Sequence, residues 1–215
     1  MTAGRVVLWR HGQTDWNASG RYQGQADVPL NAAGEQQARL SAPAVAALGA
    51  TRVISSDLSR AARTAEVYAE LTGARVEFLP ALQEINVGTW AGLTNEEVFA
   101  LSPDFKTALR AGRDFRRSPT GETGAEAGAR VAGAILDAAE ACAADDVLLV
   151  VGHGFSTRVA ITLLMGLDFE DNRLLSGLWN CSWSVMQPSG DHWRLQSYNN
   201  HVPAVSTALG AHNIS

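Results

Sequence analysis

The chain reads as an α/β protein, a three-layer α/β/α sandwich around a mostly parallel mixed sheet with a small helical cap. Three observations predict this. Short β-rich apolar runs alternate with alanine-rich helical segments. One run, Val147-Leu148-Leu149-Val150-Val151, is apolar at every position, as a central parallel strand covered on both faces must be. Between residues 85 and 120 the alternation fails, and Gly88, Gly92, Pro103, Gly112 and Pro119 punctuate short helical pieces. The 215 residues suit one domain, with that cap (about 85–120) inserted.

Each element follows from local signals. Val6-Val7-Leu8-Trp9 is a buried strand that ends at Arg10-His11-Gly12. Leu30 to Leu48 is a helix stopped by Gly49, and Arg52 to Ser56 is a second strand. Asp57 is placed to cap the next helix, which carries Arg60, Arg63 and Thr64 and ends near Gly73. Arg75 to Leu79 is a third strand. In the cap, Asn95–Leu101 and Phe105–Arg110 read as helical. A long helix runs from about Glu126 to Ala141, and Phe155 to Met165 is another. Cys181 to Met186 and Trp193 to Tyr198 alternate as strands, so Pro188-Ser189-Gly190 reads as a hairpin turn.

Composition bounds the function. With 46% hydrophobic and 18% charged residues the chain is globular, not disordered. A net charge of -5 argues against nucleic acid or anionic membrane as a general partner. Two cysteines, Cys142 and Cys181, lack CxxC partners and read as small buried hydrophobes. The start carries no leader pattern, and no run approaches the ~20 apolar residues of a membrane span. A soluble, reduced, cytoplasmic protein is expected. Sheet edges are not readable from the sequence, so a homodimer stays open.

The chemistry collects behind three strands: Arg10-His11-Gly12, Asp57 to Arg60, and Gly152-His153-Gly154. In a parallel sheet, ligands bind beyond the carboxyl ends of the strands. Parallel strands would therefore bring two histidines and two arginines together. Arginine forks suit phosphate, and Gly12 and Gly154 would let backbone N–H groups approach an anion. No carboxylate stands at metal-ligand spacing from either histidine, and the arginines would repel a cation, so no metal or cofactor is expected. A neutral imidazole can instead accept a phosphoryl group, with Arg10 and Arg60 neutralising its oxygens. Glu84, opening the cap, is the candidate proton donor to the leaving group.

These residues carry a resemblance. Arg10-His11-Gly12-Gln13-Thr14 resembles the RHG-x-T signature of the histidine phosphatase superfamily, also called phosphoglycerate mutase-like. Asp15-Trp16-Asn17, Tyr22-Gln23-Gly24, Ser55-Ser56-Asp57-Leu58-Ser59-Arg60, Leu82-x-Glu84, Gly121-Glu122-Thr123 and Val151-Gly152-His153-Gly154 continue it in the same order. The family likeness implies a phosphohistidine at His11, phosphate held by Arg10, Arg60 and His153, and a pocket mouth at Asn17 and Gln23. It implies Glu84 as acid and then base, and a metal-independent reaction. The shorter cap favours a phosphomonoesterase; phosphoglycerate mutase is the alternative. A small acidic or sugar phosphate is the implied partner. The tail from Gly177 to Asn199 is similar to actinobacterial members of the family, among them one that acts on glucosyl-3-phosphoglycerate, so that ester is one candidate substrate the resemblance implies.

Blander readings stand beside these. Arg110, Arg113, Arg116 and Arg117 are by default a solvated face. Glu122 reads as loop support, Trp90 as packing or a pocket wall, and His192, His201 and His212 as surface residues.

Overall fold

The structure, a computed structural model, describes residues 2–203. Its sheet has six strands: β1 Arg5–Arg10, β2 Arg52–Ser55, β3 Val76–Phe78, β4 Val147–Gly152, β5 Trp183–Ser189 and β6 His192–Asn200. The spatial order is β3-β2-β4-β1-β5-β6. The first four strands of that order are parallel, and β5 and β6 add on antiparallel. The helices are α1 Asp15–Ala18, α2 Ala32–Ala46, α3 Ser59–Thr72, α4 Asn95–Leu101, α5 Pro103–Arg110, α6 Gly124–Glu140 and α7 Phe155–Leu164.

The pleat sorts the strand side chains into two cores. Val6, Leu8, Ile54, Leu148 and Val150 face Val131 and Ile135 of α6 and Ile161 of α7. Val7, Trp9, Val53, Leu149 and Val151 face Ala38 and Ala42 of α2 and Ala61, Ala65 and Tyr68 of α3. Strand β4 is buried along its whole length, as its composition requires. A third core, with Ile85, Val87, Trp90, Val98 and Phe105, holds the cap against Ala127 of α6 and Phe155 and Val159 of α7.

Two local expectations are corrected. Asp57 does not cap α3. Leu58 is the N-cap, Ser59 N–H is taken by Asp27 Oδ1 at 2.7 Å, and Asp57 accepts from Gln83 Nε2 at 2.8 Å. A carboxylate remote in sequence has replaced the neighbouring one. The hairpin turn falls at Gly190-Asp191, not at Pro188, which pairs with Trp193 inside the strand. The pairing of β1 with β5 ends at Met186, so the missing N–H of Pro188 costs β1 no hydrogen bond.

Candidate active site

The carboxyl ends of β1, β2 and β4 lie side by side, and they bring the three clusters together. Arg10 ends β1 and is followed by His11; Arg60 is the second residue of α3, and His153 follows β4. Gly12 fits there because it abuts the backbone of α2: a Cβ would lie 2.4 Å from Gly34 O. Its N–H does not face an anion; it donates to Thr64 Oγ1 at 3.2 Å.

His11 is 2% exposed. Its Nδ1 is 2.6 Å from Gly12 O. A carbonyl can only accept, so the proton sits on Nδ1 and Nε2 keeps its lone pair. Burial, then the charges of Arg60 and Arg10, push the His11 pKa well below the usual histidine range. The imidazole is therefore neutral at pH 7. Asn180 Nδ2 donates to His11 O at 3.0 Å and to Asn17 Oδ1 at 3.3 Å, which ties the loop after β1 to α1.

The arginines are held by carbonyls, not by carboxylates. Arg10 donates through Nη1 to Leu178 O. Arg60, 1% exposed, donates to Ala26 O at 2.8 Å and Gly24 O at 2.6 Å. The Nε of each is buried without a partner. Burial lowers both pKa values, Arg60 to about 10, so both remain cations at neutral pH. Two buried cations held by carbonyls, with the carboxylates of Glu84 and Asp27 near but not in ion-pair contact, form a seat for an anion.

His153 is fully buried, with its ring edge-on to His11 at a centroid distance of 5.3 Å. Ser56 Oγ lies 2.8 Å from its Nε2, and its Nδ1 has no partner. Burial, then Arg60, His11, Arg10 and Arg130, lower its pKa well below the usual range. His153 backs His11 and does not line the open cavity.

Glu84 sits on the first turn of α7. Oε2 accepts from Gly154 N–H at 3.1 Å and Phe155 N–H at 2.9 Å. Oε1 accepts from Ser156 N–H at 2.7 Å and Ile85 N–H at 2.9 Å. All four lone-pair positions are taken, so a proton on this carboxyl requires one contact to be given up. Gly154, read as a phosphate binder, has its N–H committed to Glu84. Arg130 fixes the loop by donating to Ala81 O, Gln83 O and Glu84 O while pairing with Glu122 at 2.8 Å.

Arg10, His11, Asn17, Gln23, Arg60 and Glu84 line one cavity of about 280 Å³, the size of a small-molecule site. Thr14 Oγ1 donates to Gln23 Oε1 at 2.9 Å and caps α1 in a reciprocal box with Asn17. The loop after α1 supplies Tyr22, the cap supplies Phe105 and Arg117, and α7 supplies Phe155 and Arg158. Arg117 is 6% exposed, which corrects the solvated reading; Arg110, Arg113 and Arg116 are exposed as expected. Trp90 packs on Phe105 at 4.9 Å inside the cap core and does not wall the cavity. His192 is exposed, and His201 stacks on Trp179 away from the cavity. His212 and the tail beyond Pro203 lie outside the described residues. Cys142 and Cys181 are buried and free.

Sequence reasoning missed Asn180, Ser56, Arg117 and Arg158. Ser56 follows β2 directly and was findable by strand-end position; the others act across 70 or more residues or look like surface arginines. Among the described residues, no helix is long and apolar enough to cross a membrane, and no three His, Cys, Asp or Glu residues could hold a metal ion.

Residues 6–201 match the histidine phosphatase superfamily, branch 1. A Yersinia enterocolitica protein named probable phosphoglycerate mutase GpmB is 38% identical over 192 residues, covering 88% of this chain and 87% of the relative. A solved mycobacterial glucosyl-3-phosphoglycerate phosphatase superposes with a TM-score of 0.83 at 31% identity, over 91% of this chain and 98% of that one. A structure described as mycobacterial hydrolase 1 gives 0.84 at 32% identity, over 92% and 99%.

Proposed function

Because the chain belongs to the histidine phosphatase superfamily, we propose that it is a metal-independent phosphomonoesterase working through a phosphohistidine at His11. One observation carries the reading: His11 Nδ1 donates to Gly12 O, which leaves a neutral Nε2 in a cavity lined by Arg10 and Arg60. Nε2 attacks phosphorus in line, the P–O ester bond breaks, and the departing oxygen takes a proton from Glu84. Arg10 and Arg60 neutralise the charge on the equatorial oxygens. Water then attacks the phosphohistidine, Glu84 takes its proton, and phosphate leaves with the N–P bond broken.

The resting place of Glu84 fits an exchange. The N–H groups that hold its carboxylate form a helix N-terminus, a natural phosphate seat. A bound phosphate dianion competes for them and frees the carboxyl to turn toward the leaving oxygen. His153 acts through its contact with His11 and with the phosphate held there. Asn17 and Gln23 stand at the cavity wall and select the leaving group.

The substrate is a small acidic or sugar phosphate, and glucosyl-3-phosphoglycerate is the first to test, since a structural neighbour carries that activity in its name. The second reading is phosphoglycerate mutase, favoured by the names of the sequence relatives. Phosphate release from glucosyl-3-phosphoglycerate, 3-phosphoglycerate, a sugar phosphate, a nucleotide monophosphate and p-nitrophenyl phosphate, in EDTA with His11→Ala as blank, separates them. Release above the blank is expected. No release, with 3-phosphoglycerate converted to the 2-isomer under bisphosphate stimulation, would make the protein a mutase.

A further inference from the structure

The cavity has a second cationic end that the phosphoryl chemistry does not use. Arg117, from the loop after α5, is clamped between two rings, with its guanidinium 4.8 Å from the Phe105 centroid and 5.1 Å from that of Phe155. Its Nη1 donates to Phe115 O. Arg158, one turn into α7, lies 5.5 Å from the same Phe155 ring, and its Nε is buried without a partner. Among the described residues neither arginine forms an ion pair, while Arg21, Arg39, Arg52, Arg63, Arg116 and Arg130 each do. Burial is the main cause that lowers both pKa values, and the charge of Arg158 adds to the lowering at Arg117. The aromatic rings and the charges of Asp114 and Glu84 offset only part of that cost, since both pKa values remain lowered, and the exposed Arg110 and Arg113 show that the same segment could have left it to solvent.

Building on the phosphatase reading, we propose that Arg117 and Arg158 form a second anion subsite that selects phosphomonoesters bearing another anionic group, carboxylate or phosphate, on the leaving group. Arg10 and Arg60 hold the transferred phosphoryl. Arg117 is rigidly stacked and sets the position. Arg158, held only by its aliphatic stem and the ring, completes the clamp when the anion arrives. Both are specificity residues and neither touches the reacting atoms.

The test compares 3-phosphoglycerate and propane-1,3-diol bisphosphate with glycerol 3-phosphate, whose leaving group is neutral. In wild type, kcat/KM favours the two substrates with a second anionic group by about 10- to 100-fold, the range of one or two charged hydrogen bonds. Arg158→Gln collapses that ratio and Arg158→Lys restores part of it. Comparing those two substrates tells carboxylate from phosphate. An equal ratio in wild type and Arg158→Gln, with both proteins folded by circular dichroism, overturns the subsite. Hydrolysis of p-nitrophenyl phosphate, lost in His11→Ala, then still upholds the phosphatase reading. If wild type hydrolyses nothing, calorimetric Kd values of His11→Ala and its Arg158→Gln double variant for the same three ligands decide the subsite alone: a preference lost in the double variant supports it, and no preference contradicts it.

Discussion

At the sheet end of the cavity, Arg10, His11, Arg60 and His153 hang from strand termini and one helix turn, fixed by backbone carbonyls and by each other. At the cap end, Tyr22, Phe105 and Arg117 come from loops and a short helix, fixed mainly by aromatic packing. Strand ends of a hydrogen-bonded sheet cannot shift separately, so the first end holds reacting atoms in register. Short helices packed on rings can change without disturbing the sheet, so the second end can set which leaving group fits. Chemistry and selectivity thus occupy different structural materials within one cavity.

Substitutions at each end test this contrast. The largest effect is expected at the sheet end. Arg60→Gln removes a cation from the phosphoryl seat and lowers kcat/KM by about 10²- to 10³-fold for every phosphomonoester, whatever its leaving group. A loss confined to anionic leaving groups would erase the division between the ends.

Next comes the junction. Arg130→Met takes three carbonyl bonds and the Glu122 pair from the loop carrying Glu84. We expect a loss of about 2–4 kcal/mol in stability and a kcat drop that is steeper for alkyl than for nitrophenyl phosphates. Equal drops for both would show that Arg130 positions no proton donor.

The smallest effect is a pH dependence. His11 and His153 have folded pKa values well below 6.5, so below pH 6.5 the unfolded chain binds protons that the native state refuses. Stability contributed by these two groups is present above pH 6.5 and is lost as pH falls below it, by up to about 1.4 kcal/mol per histidine per pH unit. Thermal melts at pH 7.5 and 5.5 should show a smaller decrease in His153→Asn than in wild type. A matching decrease would mean that His153 titrates normally.

The sheet end was largely legible in the sequence because its signals are local. Arg10-His11, Arg60 and His153 each follow a strand that the apolar pattern marks, and parallel pairing does the rest. The cap end was not legible. Arg110, Arg113, Arg116 and Arg117 look alike in sequence, and Arg117 is singled out only by Phe105 and by Phe155, 38 residues on. The same distance effect hid the capping of α3 by Asp27 and the hold of α7 on Glu84. Residue type and spacing reveal a strand end, but they do not tell which partner from across the chain completes it.

The central claim is that His11 Nε2 takes the phosphoryl group. Mixing enzyme with 32P-labelled substrate, quenching in alkali within milliseconds and mapping the label tests it directly. One acid-labile, alkali-stable phosphate per chain is expected on the peptide holding His11, absent in His11→Ala and formed as fast as the leaving group departs. Full turnover with no label on that peptide, or label surviving in His11→Ala, would contradict it.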